Sequence, residues 1–443
     1  MIHRFILSIF ALGLAIIPSY ASSDSGYLIL DNRKSFEKQV VYSNTSYVIR
    51  DEYRLNKHFR FPSNCTLIFQ GGMLTGVGIL EGDNTSIEAP AVRVFGDNIT
   101  IGGTWTIEKA YCEWFGGRIS SDNNAIPIQK CIDSFNMLSL NVGLYRIKST
   151  LNVVRDGCLI SGVSRSKSGI LKSSSSKEDI NAVFNISNTK SQNIQHITVK
   201  DLRLSSIGYN VDYGIYTDGI NSSEFRNLTI FQCKNGFYCN NETHGAIWNL
   251  VFDNIECNSN TLRKYEGKSH YGYKEGESCG VTCVTNGGAS VQFNKCWVRD
   301  CAIGFYLKGL GYSQLNMCAA DNIHGAAYII EYCRLAMNEC GMESVITTTA
   351  VHLYQSQVTL TGFNDYNMIA YAPNETYRIK VDGGTATFTN CYFSEWVAQS
   401  SKAITYGITA DYGASIVMNN TFQPRKVIRK CEAINGASIK YIK

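Results

Sequence analysis

Short segments that open on a small residue and then alternate apolar with polar positions recur through the middle of the chain. They read Gly214-Ile-Tyr-Thr-Asp218, Gly236-Phe-Tyr-Cys-Asn240, Gly280-Val-Thr-Cys-Val284, Gly304-Phe-Tyr-Leu-Lys308, Ala327-Tyr-Ile-Ile-Glu331 and Ala350-Val-His-Leu-Tyr354, at steps of 22, 44, 24, 23 and 23 residues. Alternation of period two predicts strands, and a unit repeating every two dozen residues or so predicts that the strands stack as a solenoid. Coils of a β-solenoid lie at the parallel-strand spacing of about 4.8 Å, so equivalent residues form columns.

Parity separates the faces. Ile215, Phe237, Val281, Phe305, Tyr328 and Val351 are expected to point inward. Tyr216, Tyr238, Thr282, Tyr306, Ile329 and His352 then form one outward column, and Asp218, Asn240, Val284, Lys308, Glu331 and Tyr354 the next. A second register signal agrees: Asn294-Lys-Cys296, Asn316-Met-Cys318 and Asn338-Glu-Cys340 recur at steps of 22 and 22. Asn at a turn bonds the same Asn one coil away, which explains the column without chemistry. Three Cys in one column cannot all pair, so most of the 16 Cys are expected to be small core fillers rather than a disulfide framework.

The doubled step of 44 has a local cause. Residues 258–279 lack apolar alternation and carry Lys264, Tyr265, Glu266, His270, Tyr271 and Tyr273, so they read as a loop inserted into one coil and a candidate for specificity or regulation. Shorter alternating pieces between residues 50 and 107 predict a small β cap of narrow coils, giving a division into a leader at 1–21, a cap at 22–110 and the solenoid at 111–443. Gln129 to Phe135, with Ile128, Cys131, Ile132 and Phe135 at helical spacing, is the one convincing helix. Past Tyr354 strands are expected at Gln357 to Thr361, Tyr377 to Val381, Thr385 to Asn390, Ala403 to Thr409 and Ala414 to Asn419, with Asn364 to Glu375 and the tail from Arg425 outside the repeat.

Composition narrows the setting. His3 and Arg4 precede an apolar run from Phe5 to Ile17 and then Ser19-Tyr20-Ala21, the pattern of a secretory signal peptide, with no Cys following it for lipid attachment. Release to the periplasm or the outside is expected, without a membrane span. A net charge of +4 over 443 residues, with no dense Lys/Arg block, argues against nucleic acid as a partner and leaves an acidic polysaccharide open.

The stretch Glu113-Trp-Phe-Gly-Gly117, Asp122-Asn-Asn-Ala-Ile-Pro-Ile-Gln129-Lys-Cys-Ile-Asp133, Val142-Gly-Leu-Tyr145-Arg-Ile147 and Leu159-Ile-Ser-Gly-Val163 resembles the opening of the pectate-lyase superfamily domain. Two features depart from that pattern: a Gly-Asp-Gly turn is absent, and Asn123 and Asn124 stand where the family usually has acids. The resemblance implies an all-β, right-handed parallel β-helix and a tendency toward pectin-like or other acidic glycans.

It also frames the candidate chemistry. Polygalacturonase members of such β-helices use carboxylates from N-T-D and D-D motifs, a following H-G and a downstream R-x-K. Tyr216-Thr-Asp218, His244-Gly245 and Arg378-Ile-Lys380 resemble three of these four. The paired acids are missing, because Asn240 stands one coil after Asp218, and Glu242 is the nearest second carboxylate. Inverting hydrolysis needs two such groups, so Asp218, Glu242 and His244 are the catalytic candidates. A lyase reading places Lys308 beside Glu331 with Tyr306 near the leaving group, and it alone would call for Ca²⁺; otherwise no cofactor is expected. The same Lys308 and Glu331 also read as an exposed ion pair, and His244 and His324 as solvated turn residues. Tyr216, Tyr238, Tyr306, Lys308, Glu331 and His352 are the substrate-binding candidates, which leaves a polysaccharide-cleaving enzyme and a non-catalytic glycan-binding scaffold both open.

Overall fold

The computed structural model describes residues 27–173, 180–188, 193–207, 211–242, 246–259, 278–366, 369–370, 375–394, 397–398, 404–421 and 429–442. The leader, His244 and residues 260–277 of the inserted segment lie outside the described residues.

Two compact units are present, the first built from the described residues up to Pro90 with Asn98–Thr106, the second from Ala91–Asp97 and the described residues from Ile107. In the first, Tyr27–Ile29, Ser46–Ile49, Thr66–Phe69, Gly78–Glu88 and Ile99–Thr106 pair in parallel. Its period is 20 residues, marked by Asn44, Asn64 and Asn84 in left-handed turns and joined by side-chain amide bonds of 2.9 and 2.7 Å. A single-turn helix, Phe36–Gln39, buries Phe36 against Tyr53, Phe59 and Phe61.

The second unit is a right-handed parallel β-helix; the described residues make about 14 turns. Each coil presents three strand faces. On the first, Ile215, Phe237, Val281, Phe305, Tyr328, Val351, Ile379 and Ile408 fall in register and point inward, as parity predicts. The second face stacks Phe225, Phe252, Phe293 and Leu315, with the rings 5.5 and 4.7 Å apart and nearly parallel. The third carries Ile230, Cys257, Val298, Ala320 and Met342.

The small residue that opens each repeat has a steric reason. A Cβ on Gly280 would lie 1.9 Å from Cγ1 of Val298, so this coil requires Gly at the corner between the third and first faces, whereas Ala327 and Ala350 take the place in later coils.

The repeat also runs further than alternation suggests. Asn364–Tyr366 is a third-face strand paired with Gly341–Glu343, and Arg429–Ala433 and Ser438–Ile442 pair with Ile404–Asp411 and Ser415–Asn419. Charged outward residues such as Glu432 and Lys440 hide that parity. The helix begins earlier too, at Ala125. Asn124 is buried; its Oδ1 accepts from the Arg118 backbone N–H (2.8 Å) while its Nδ2 donates to the Arg146 carbonyl (3.2 Å). A carboxylate offers no such donor, which rationalises Asn at this position.

All 16 Cys are free thiols, 15 of them buried. Cys296, Cys318 and Cys340 point their sulfurs at the carbonyls of Phe252, Phe293 and Leu315 at 3.3–3.5 Å. Beside them Asn316 donates to Asn294 (2.8 Å) and accepts from Asn338 (2.9 Å). Asn316→Ala removes two links of this ladder and leaves Asn338 without its acceptor. A loss of about 1–2 kcal/mol is expected in urea unfolding, whereas an unchanged midpoint would show the ladder to be energetically idle.

Candidate functional site

The outward side of the first face carries most of the residues singled out by sequence. Tyr216 and Tyr238 are half-buried and stack on each other, centroids 5.6 Å apart and planes 4° from parallel, with Tyr213 packed against both at 5.3 and 5.0 Å. In-register stacking thus turns the two ring faces toward one another and presents the phenol edges. Burial between these rings pushes the Tyr238 phenol up to about 12. Thr282 and Ile329, which share the column, are buried; Ile329 packs with Cys279, Ala302, Ile303 and Ala326.

Asp218 and Glu242 stand on neighbouring coils, two residues out of register. Asp218 aligns with Asn240, and the turn after it is held by buried Asn241, whose Oδ1 accepts from the Gly219 and Ile220 N–H groups at 2.8 and 3.0 Å. Glu242 instead reaches along the column to Lys308, Oε1 to Nζ 2.7 Å, and the Lys308 ammonium is held above its ordinary range chiefly by that hydrogen bond. The expected Lys308–Glu331 pair is therefore replaced. Glu331 accepts a hydrogen bond from the Tyr306 phenol at 3.0 Å.

Tyr306, Glu331 and His352 line one cleft of about 340 Å³, with Ala326 and Ile329 as an apolar floor and Thr347 to Thr349 along a wall. His352 is oriented by Asp382, Nε2 to Oδ2 2.7 Å, and Asp382 also receives Lys380 Nζ at 3.0 Å. Burial pushes the Asp382 carboxyl up, but the hydrogen bonds from His352 and Lys380 outweigh it, and the group lies below the usual carboxylate range. A depressed folded-state pKa adds stability above the unfolded value and loses it as pH falls through the folded one. Asp382→Asn is thus expected to be destabilising near neutral pH, with the difference from wild type starting to shrink only below about pH 4 and vanishing once pH is below the depressed folded-state value, read in urea midpoints; a constant offset to low pH would contradict this.

Two sequence readings change here. Arg378 of the R-x-K resemblance is fully buried and paired with Asp365 at 2.6 Å, so only Lys380 faces outward. His324 is buried rather than solvated.

A larger feature escaped the alternation pattern. Where the first face turns into the second, a groove of about 600 Å³ runs over Gly287, Gly288, Gly309 and Gly311, flanked by Lys308, Tyr312, Tyr332, Arg334, Gln355 and Gln357. It shares Tyr312, Arg334 and Gln357 with a further hollow of about 410 Å³ lined by Thr359, Thr385 and Thr387. The available signal was aromatic residues at corners: Tyr312 and Tyr332 occupy left-handed turns (φ 50° and 54°) that elsewhere fall mostly to Asn or Gly.

No family model matches the chain, and no curated protein matches it. Among solved structures, it is similar to a tailspike of an Acinetobacter phage at 15% identity and TM-score 0.56, covering 77% of this chain and 64% of that one. The chain thus spans about two thirds of the tailspike's length. It is also similar to the catalytic domain of a GH87 α-1,3-glucanase (13% identity, TM-score 0.44, covering 72% and 68%) and to the Streptococcus pneumoniae surface protein and adhesin PfbA (12%, 0.46, 76% and 100%). At these identities the likeness is one of fold, and the fold it shows is the parallel β-helix.

Proposed function

We propose that this chain binds a polysaccharide across its first sheet face, with the cleft of Tyr306, Glu331 and His352 as the principal contact. One observation carries the reading: hydrogen-bonding groups held by Tyr306 and Asp382 converge over an apolar floor, the arrangement a sugar's hydroxyl rim and C–H face require. The phenol row of Tyr216 and Tyr238 extends that surface by three coils. Its part is hydrogen bonding to sugar hydroxyls rather than ring stacking, since the ring faces are already occupied. The apolar run Phe5 to Ile17 supports export, and the pectate-lyase-like stretch at 113–163 supports an acidic glycan as the class.

Retention in native gels containing pectins, alginate, host glycosaminoglycans or neutral glucans is the test. Combined Tyr306→Phe and His352→Ala is expected to weaken retention at least tenfold, about 1.4 kcal/mol, with circular dichroism unchanged. Full retention by the double variant would refute the cleft.

Cleavage is a second reading, favoured by one geometric fact. Glu331 and Asp382 share an outward column two strands apart, roughly 9.6 Å between Cα atoms at the parallel spacing. With the side chains leaning toward each other, a Cα spacing of that size brings two carboxyls into the separation of roughly 6.5–9.5 Å that leaves room for water between them. Reducing-end release abolished by Glu331→Gln would support it; wild-type silence across the panel with binding intact would leave the binding reading alone.

A further inference from the structure

The corner groove differs from the cleft in charge. The cleft is lined by Glu331 with Asp382 behind His352, whereas among the described residues neither hollow of the corner groove has an acidic residue on its walls. Two cations flank it, and they are not equivalent. Lys308 is engaged by Glu242, while Arg334 pairs with no carboxylate among the described residues. The Arg334 guanidinium is instead oriented: its Nε donates to Oε1 of Gln357 at 2.9 Å, and its carbon lies 5.7 Å from the centre of the Tyr312 ring. With Nε committed, the two terminal nitrogens form the fork that takes a planar carboxylate through paired hydrogen bonds. Tyr312 is 76% exposed, and so offers a broad aromatic surface beside that fork. The floor is backbone: Gly309 has φ 75°, and a Cβ there would lie 2.0 Å from the Thr285 carbonyl oxygen, so the hollow exists only with glycine.

From this we infer a second glycan subsite, in which Arg334 pairs with the carboxylate of an acidic sugar, Tyr312 packs against its ring, and the Thr359–Thr385–Thr387 hollow takes the next sugar's hydroxyls. One oriented guanidinium beside an aromatic ring suits a single carboxylate. A phosphate backbone would call for a row of cations, which the groove does not have. The inference rests on the polysaccharide reading and adds to it: the sheet-face cleft binds sugar as such, and the corner selects charge.

The test uses the full chain and two oligosaccharide probes of equal length, oligogalacturonate and oligogalactose, with binding followed by calorimetry and ligand-observed NMR. Wild type is expected to prefer oligogalacturonate, with affinity falling as salt rises. Arg334→Gln keeps hydrogen-bond donors and removes the charge; it is expected to lose the preference, weakening oligogalacturonate tenfold or more and leaving oligogalactose within twofold. Tyr312→Ala is expected to weaken both probes and to reduce ring-proton saturation transfer. Preference retained by Arg334→Gln overturns the corner subsite while leaving polysaccharide binding in place. Equal binding of both probes by wild type does the same. Binding of no polysaccharide by wild type, in gels or in solution, overturns the underlying reading as well.

Discussion

Arg378→Met is expected to destabilise the β-helix by about 3–5 kcal/mol. Arg378 and Asp365 are both fully buried and meet at 2.6 Å. Arg378 also donates from Nη2 to the Ser394 carbonyl, and Ser394 N–H donates to Asp365 Oδ1, each at 2.5 Å. Truncating the arginine leaves a carboxylate inside the coil with the backbone N–H and the side chain of Ser394 for company. Burial already pushes the Asp365 carboxyl above its ordinary range, more than Arg378 pulls it down, so removing Arg378 raises it further. A raised carboxyl pKa favours the protonated folded form. The sign is therefore definite: the cost of Arg378→Met is greatest at neutral pH and shrinks as pH falls toward the raised pKa. Replacing both partners, Arg378→Met with Asp365→Leu, is expected to recover most of the loss, since an apolar pair of similar volume carries no desolvation cost. Urea midpoints at pH 7 and pH 5 check all three statements; a single variant as stable as wild type, or a double variant no better than the single, would contradict them.

The same pair shows why part of the molecule was legible in sequence and part was not. Strand parity reports which side of a strand a residue takes, and it correctly placed Phe237, Phe305 and Val351 inside and Tyr238, Tyr306 and His352 outside. At the corner between faces parity has no meaning, and size is the only guide. Gly280 is there because Val298 leaves no room for a Cβ. Arg378 stands one coil after Ala350 in that column, where a buried acid on the third face accommodates its charge. The site failed in a related way. Columns told which residues share a face, but the link between Glu242 and Lys308 spans strands separated by 66 residues and the intervening Val284, a side-chain choice no register contains. Tyr312 sits in a left-handed turn outside the alternation and Arg334 at the outward start of the strand Arg334–Asn338, so the groove they form became visible only with the turns in place.

Phe252→Ala is expected to cost about 3–5 kcal/mol, for a reason that belongs to the solenoid itself. The ring is 1% exposed and lies in a column between Phe225 and Phe293, at 5.5 and 4.7 Å, with Phe237 edge-on from the first face at 4.8 Å. Its neighbours above and below are fixed by backbone pairing at the strand spacing and cannot close on the gap, so the cavity persists. Phe252→Leu keeps much of the volume and is expected to lose less than half as much. Because Phe252 and Arg378 sit five strands apart on the solenoid, roughly 24 Å at the parallel spacing, their contacts share no residue. If the coils unfold as one cooperative unit, Phe252→Ala with Arg378→Met is expected to lose the sum of the two single costs within about 0.5 kcal/mol. If stability is held coil by coil, through nearest-neighbour interfaces, the double variant will show two separate urea transitions, each shifted by its own substitution. Fluorescence and circular dichroism that trace one shared curve select the first behaviour, and diverging curves the second.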